Sequence, residues 1–257
     1  MSAELFLEKA QEIFNRIQAT QLPQIRRAAE LMTESIACGR WVHLFGAGHA
    51  KIPVEEVYPR TGGFVGFHPI IELALSWFTP VVGSSGVPQF LFLERVEGFG
   101  EAILQSHDLD PRDTMVCFSH SGINSVVIDV ALGAKRRGLS VVAITSLDHS
   151  TRTSSRHSSG KRLFEIADVV VDTCVPFGDA MVELPGLEFK VGPGSTIGFC
   201  LVIDAIVTQV AANLLARGIK PIVNATLNIQ GDTVAEDQIR VALRAYADRL
   251  KGLSDGR

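Results

Sequence analysis

Thr114-Met115-Val116-Cys117-Phe118 runs straight into Ser119-His120-Ser121-Gly122-Ile123-Asn124 and then into a periodic apolar stretch that opens at Ser125. A short apolar run halted by a small, polar, glycine-bearing corner reads as a buried strand turning tightly into a helix, here Ser125 to Arg137 with Gly138 as its cap. The same order of residue types occurs upstream, where Trp41-Val42-His43-Leu44-Phe45 meets Gly46-Ala47-Gly48-His49-Ala50. Working outward, Val141 to Ile144 and Val169 to Val171 are further apolar, β-branched strands. Phe64-Val65-Gly66-Phe67 is a candidate second strand, and Leu163 to Ala167 has helical spacing. Strands alternating with helices predict a parallel sheet covered on both faces, because parallel neighbours need a crossover of about a dozen residues. The expected fold is therefore α/β, a three-layer αβα sandwich.

The flanks fill in the layers. Residues 3 to 18 and 23 to 38 carry apolar side chains at helical spacing, with Pro23 in a first turn and Gly39 as a stop. A helix is expected from about Phe92 to Ser106, followed by a turn at Asp110-Pro111-Arg112-Asp113. Residues 73 to 93 hold no charge over 21 positions, long enough to cross a bilayer, but Pro80, Gly83, Ser84, Ser85, Gly86 and Pro88 interrupt any helix, so a partly buried connection is expected. Between 191 and 216 the single charge is Asp204, which predicts a helix from Ser195 to Ala216 buried on most sides. Asp232 to Leu250 reads as an amphipathic helix. The 145 to 163 segment, serine-rich from Ser150 to Gly160 and made cationic by Arg152, Arg156, His157, Lys161 and Arg162, reads as a lid over an anion or as a solvated rim between subunits.

Composition excludes several function classes. With 46% of its 257 residues apolar even before 23 glycines are added, the chain can build a large core, which rules out disorder. A net charge of −4 without long single-sign blocks supplies no field for nucleic acid or an anionic membrane. The first residues, Met1-Ser2-Ala3-Glu4, lack the basic flank and long apolar stretch of a secretory signal, so a cytoplasmic location is expected. Cys38, Cys117, Cys174 and Cys200 are isolated and show no zinc or redox spacing; they read as reduced core residues, and no metal is expected.

The two glycine-bearing corners carry the chemistry. In a doubly wound sheet, ligands sit outside the carboxyl ends of the strands where chain order reverses. Glycines let the backbone approach, helix starts present N–H groups and serine hydroxyls donate, which together suit a phosphate dianion. A dinucleotide fingerprint is ruled out, because its third small residue is Lys51 here and its acidic residue is His68.

These corners resemble those of the sugar isomerase (SIS) domains, a family that binds phosphosugars, with the Ser-x-Ser-Gly pattern at Ser119, Ser121 and Gly122 as the most specific part. The resemblance spans about residues 38 to 217 and implies a five-stranded parallel sheet in the order 2-1-3-4-5, a helical preface at 1–38, the SIS domain at 39–217 and a helical extension at 218–257. Within the family, the chain is similar to a bacterial subgroup grouped with the phosphoheptose isomerases. That likeness rests on Glu55-Glu56-Val57, Thr145 to Ser150, Ser155 to Leu163, Gly178-Asp179-Ala180 and Gly192-Pro193-Gly194-Ser195-Thr196. Three positions depart from the family's pattern: Ala50 replaces a loop serine, and Arg60 and Lys190 stand where glutamates act in phosphoheptose isomerases, etherases or glucosamine-6-phosphate synthases. The resemblance implies no cofactor and a homodimer or higher homo-oligomer.

The expected activity is metal-independent aldose–ketose isomerisation of a sugar phosphate, with an etherase-like lyase or a non-catalytic sensor as alternatives. Ser119, Ser121, Gly122, Asn124, Thr145 and Ser146 are the candidate phosphate binders, with Gly46, Gly48 and His49 lining the sugar. Glu55 or Glu56 is the candidate base, with Glu72 and Glu183 in reserve; His120 or His49 is the candidate acid, because proton transfer between adjacent carbons needs a carboxylate and an imidazole. Arg60 and Lys190 fit a ligand with a second negative group. Ser195 and Thr196 combine helix capping with ligand contact. His149 and His68 are weaker candidates, His43 reads as a satisfied core residue and His107 as a surface turn.

Overall fold

The computed structural model of the chain describes residues 2–57, 59–77, 83, 86–228 and 233–254. Five parallel strands, β1 (Val42–Gly46), β2 (Phe67–Ile70), β3 (Thr114–Phe118), β4 (Ser140–Thr145) and β5 (Val169–Asp172), form one sheet in the order β2-β1-β3-β4-β5. The fold is the expected three-layer sandwich. Side chains alternate cleanly between its two cores. Val42, Leu44, Val116, Phe118, Val142 and Ile144 face one side, whereas Phe45, Met115, Cys117, Val141 and Ala143 face the other. That alternation is the period-two geometry of a strand with both faces buried.

Helices α1 (Ser2–Thr20), α2 (Leu22–Ala37) and α3 (Ile52–Val57) cover the first face together with the long α9 (Ser195–Ala216). Across the sheet lie α6 (Phe99–Leu104) and α7 (Ser125–Arg136). The remaining elements are α4 (Leu73–Ser76), α5 (Gly86–Leu93), α8 (Leu147–Ser150), a hairpin of β6 (Ala180–Val182) and β7 (Val191–Pro193), and α10 (Thr233–Ser254). Ile13, Ile17, Ile25 and Met32 of the first two helices belong to the same core as the sheet, and Ala242 and Tyr246 of α10 pack there too.

Several expectations are corrected. The second strand lies three residues later than expected. Residues 62–65 instead pair with the returning 222–224 segment, through Val65 N–H to Ile222 O and an antiparallel bridge from Phe64 to Val223. Pro69 sits inside β2, which tolerates it because β2 is an edge strand. The helix expected from Phe92 to Ser106 is two helices, α5 and α6. They are broken at Gly98, whose φ is +87°, and the Asp129 carboxylate accepts the N–H groups of Gly98 and Gly100 at 2.7 and 3.3 Å. Of the uncharged connection, α4 and most of α5 are helical and only partly buried, while Pro80, Ser84 and Ser85 lie outside the described residues.

α9 has the expected limits but is buried along a single stripe, Phe199, Val202, Ile203, Ile206, Val210 and Leu214, with Leu215 exposed. Among the described residues it is the one helix long and apolar enough to cross a membrane, and it packs on α2 and α3. Leu163 to Ala167 narrows to a single 3₁₀ turn at Leu163–Glu165. The β6–β7 hairpin had no counterpart in the sequence reading. Cys38 is exposed rather than part of the core, and Cys200 is half-buried.

Candidate functional site

The topology puts the two corners side by side. β1 and β3 are neighbours at the point where strand order reverses, and Gly46 at the end of β1 is in register with Phe118 at the end of β3. The first corner is built by steric exclusion. A Cβ on Gly46 would lie 2.0 Å from the Ala50 carbonyl oxygen, where a 3₁₀ turn over Gly48–Lys51 folds back. Gly48 adopts φ +61°, a conformation that glycine takes without strain, and its Cα faces the Phe90 ring of α5. His49 is exposed at the rim.

The second corner is held by its own polar groups. Ser119 Oγ accepts the Gly122 N–H at 3.0 Å, and the His120 carbonyl accepts from Thr145 Oγ1 and the Ser146 N–H, both at 3.2 Å. Gly122 has φ +65°; a side chain there would meet Ser150 Oγ at 2.9 Å and Thr145 Oγ1 at 3.2 Å. Asn124, preceding α7, donates from Nδ2 to Glu94 Oε2 and accepts on Oδ1 from Arg156, both at 2.7 Å. The cationic segment is therefore fastened to this corner, with Arg156 N–H also bonding Ile123 O and Leu163 N–H bonding Gly122 O.

His120 stands out electrostatically. Among the described residues neither ring nitrogen has a hydrogen-bonding partner, although both are buried. Burial pushes its pKa down to about 4, so the imidazole is neutral near pH 7; Asp179 and Asp148 oppose that shift and His149 adds to it. Its ring meets His149 edge to face at 4.8 Å, and His149 stacks on Phe177 at the same centroid distance. His149 Nδ1 accepts the Gly178 N–H at 3.2 Å, which puts the neutral ring's proton on Nε2.

Asp179, held at φ +73°, closes the arrangement. Its carboxylate accepts the N–H groups of Gly194 and Ser195 at 3.0 and 2.7 Å and the Ser195 hydroxyl at 2.9 Å, tying the start of α9 to the site.

Of the residues read from the sequence, the structure gathers Ser119, His120, Ser121, Gly122, Asn124, Thr145, Ser146, His149 and Ser195 at the carboxyl ends of β3, β4 and β5, with Gly46, Gly48 and His49 adjoining at β1. Some are committed internally. Ser146 is fully buried, donating to Val175 O at 2.6 Å and capping α8 through the His149 N–H. Thr145 is fully buried as well, whereas Thr196 is half-buried beside Ser195.

Others lie apart. Glu55 pairs with Lys51 at 2.8 Å, and Glu56 pairs with Arg60 at 3.0 Å. The Glu56 charge is felt at Asp204 and Cys200 of α9, raising both pKa values after burial has done so. Lys190 is exposed on the β6–β7 hairpin, 3.0 Å from Glu183, and Glu72 caps α4 through the Ala74 N–H. His68 faces the opposite, amino end of the sheet, bonded to His43 at 3.0 Å, and His107 is half-buried against His68 rather than a solvated turn. Among the described residues no three His, Cys, Asp or Glu side chains are grouped to hold a metal ion.

The sequence reading missed Glu94, Phe177 and the role of Asp179. Gly178 before Asp179 was the available signal for a strained turn. Glu94 gave none, because it fell inside a stretch read as plain helix.

The comparisons agree with this architecture. A family model described as the SIS domain matches residues 5–146. A UPF0309 protein of Caldanaerobacter subterraneus subsp. tengcongensis is 34% identical over 97% of this chain and 99% of its own length. Another UPF0309 protein, from Oceanobacillus iheyensis, is 37% identical over 95% of this chain and 96% of its own. Among solved structures, a phosphoheptose isomerase from Neisseria gonorrhoeae shares the fold with a TM-score of 0.52 and 16% identity, over 80% of this chain and 95% of that one. The chain belongs to the SIS domain family.

Proposed function

We propose that the protein binds a sugar phosphate across the two corners and interconverts its aldose and ketose forms. The observation that carries this reading is His120: a neutral imidazole beside a glycine-opened corner, with two buried nitrogens that have no partner among the described residues. An unsatisfied buried donor or acceptor costs about 1–3 kcal/mol, and a ligand that bonds it recovers that cost. Isomerisation through an enediol needs a group that gives a proton to one sugar oxygen and accepts one from its neighbour, which a neutral imidazole does, regaining its starting charge once both transfers are complete.

In this reading the backbone N–H of Ser121 and the Ser119 hydroxyl, oriented by the Gly122 N–H it accepts, hold the phosphate, with Gly48 and His49 bordering the sugar. Proton transfer alone carries the reaction, and no nucleotide or metal enters it. The working unit is a homodimer in the cytoplasm; the side of α9 away from its buried stripe, where Leu215 is exposed, supplies a contact for a second copy. In this reading residues 39–217 form the binding unit, with 1–38 as a helical preface and 218–257 as a helical extension.

A second reading, binding without turnover, is favoured by one observation: Glu55 and Glu56, the carboxylates first chosen as bases, are both neutralised by cations. A thermal-shift panel of sugar phosphates from four to nine carbons, followed by NMR of each stabilising sugar, separates the two. At 100 times its dissociation constant a ligand adds about 2.7 kcal/mol of stability. Conversion of that ligand supports the isomerase, and stabilisation without conversion supports the sensor.

A further inference from the structure

Helix α5 lies across both corners. The Phe90 ring packs where Gly48 has no side chain, 2.7 Å from an ideal Cβ, and one helical turn later Glu94 reaches the second corner. There Glu94 Oε2 accepts from Asn124 Nδ2 at 2.7 Å, while the Glu94 carbonyl accepts the Val126 N–H in the first turn of α7.

The Asn124 amide cannot swap ends without loss, because its oxygen already takes the Arg156 guanidinium at 2.7 Å. Its N–H therefore always points at the carboxylate. Glu94 is 8% exposed, and among the described residues Oε1 has no hydrogen-bonding partner and no cation forms an ion pair with the carboxylate. Glu55 and Glu56 differ on that last point, since each is held by a cation. Burial raises the Glu94 pKa, against the opposing charges of Arg95 and Arg156 and the Asn124 bond, which moves it toward the working range of a general base.

We propose that Glu94 is the carboxylate that moves the carbon-bound proton of the sugar phosphate; the role rests on the isomerase reading above. The Glu94 carboxylate takes the proton from C2 of the open-chain aldose. The C–H electron pair becomes the C1–C2 double bond of an enediol as O1 gains a proton from His120. The carboxylic acid then returns its proton to C1, and O2 gives its proton to the imidazolate left at His120 as the C2 carbonyl forms. Both residues end as they began, and no oxidant or reductant is needed.

The test uses the full chain as wild type, Glu94→Gln and Glu94→Asp, with ribose 5-phosphate, arabinose 5-phosphate, glucose 6-phosphate and sedoheptulose 7-phosphate in D2O. Thermal shift reads binding, and proton NMR reads deuterium entry at C1 or C2. Glutamine keeps the acceptor for Asn124, so the fold and binding should survive. The expected result is exchange by wild type, a loss of about a thousandfold in Glu94→Gln with the thermal shift retained, and an intermediate rate in Glu94→Asp. The wild-type rate should also fall as Glu94 is protonated, a limb absent from Glu94→Gln. Exchange by Glu94→Gln within tenfold of wild type overturns the role of Glu94 and leaves the isomerase standing. Absence of exchange by wild type with every sugar overturns both.

Discussion

Asp113 shows how one side chain can anchor two strands. Fully buried at the amino end of the sheet, it accepts a two-pronged bond from Arg40 at 3.0 Å, the Trp41 N–H at 2.9 Å, the Asp110 N–H at 2.8 Å and His43 Nε2 at 3.1 Å. Burial alone would raise its pKa, yet the bonds from His43 and Arg40 win and hold it below the usual carboxylate value. Asp113→Ala strands a buried imidazole and a guanidinium, and should cost about 3 kcal/mol or more in urea unfolding. The neighbouring His68 sets a pH dependence. Burial and the charges of His43 and His107 push its pKa down to about 3 from 6.5. The unfolded chain therefore binds a proton between those values that the folded one refuses, so stability should fall as pH drops from 6.5 toward 3. His68→Gln should flatten that slope in pH-dependent denaturation. His43 was legible as a satisfied core residue from its apolar neighbours. The His68–His107 contact was not, because it joins groups far apart in sequence.

At the scale of elements, the corners depend on contacts that a single added carbon destroys. Gly46→Ala sets a Cβ 2.0 Å from backbone that cannot retreat, and should lose about 3 kcal/mol of stability together with ligand binding. Asp179→Ala removes the acceptor for two N–H groups and one hydroxyl at the start of α9. It should cost about 1–2 kcal/mol and weaken binding by freeing the loop that carries Phe177. β3, its corner and α7 were legible because all their cues are local: a β-branched run, a glycine and a helix start. β2 was misplaced because its apolar residues 64–65 pair with a segment near 223, and the break between α5 and α6 was hidden because its cap comes from Asp129 on another helix. The glycine-bearing corner after β3 was therefore readable while the carboxylate beside it, Glu94, was not. A corner announces itself by composition, whereas Glu94 acquires its neighbours only when α5 folds across the sheet.

For the whole molecule, the deciding feature is the five-stranded parallel sheet with a core on each face and its polar, glycine-opened edge at the carboxyl end. The exposed side of α9 around Leu215 should bring two copies together. Sedimentation should give about twice the 27.8 kDa chain mass, and Leu215→Glu, at an exposed position on that side, should return the monomer. The central claim, that both corners grip one phosphate ester, is tested most directly by amide NMR of the ¹⁵N-labelled protein titrated with the sugar phosphate that stabilises it most. The account predicts saturable shifts at the Gly48, Ser121 and Gly122 amides together, with inorganic phosphate moving the latter two alone. Saturable binding that leaves all three amides unmoved would contradict it.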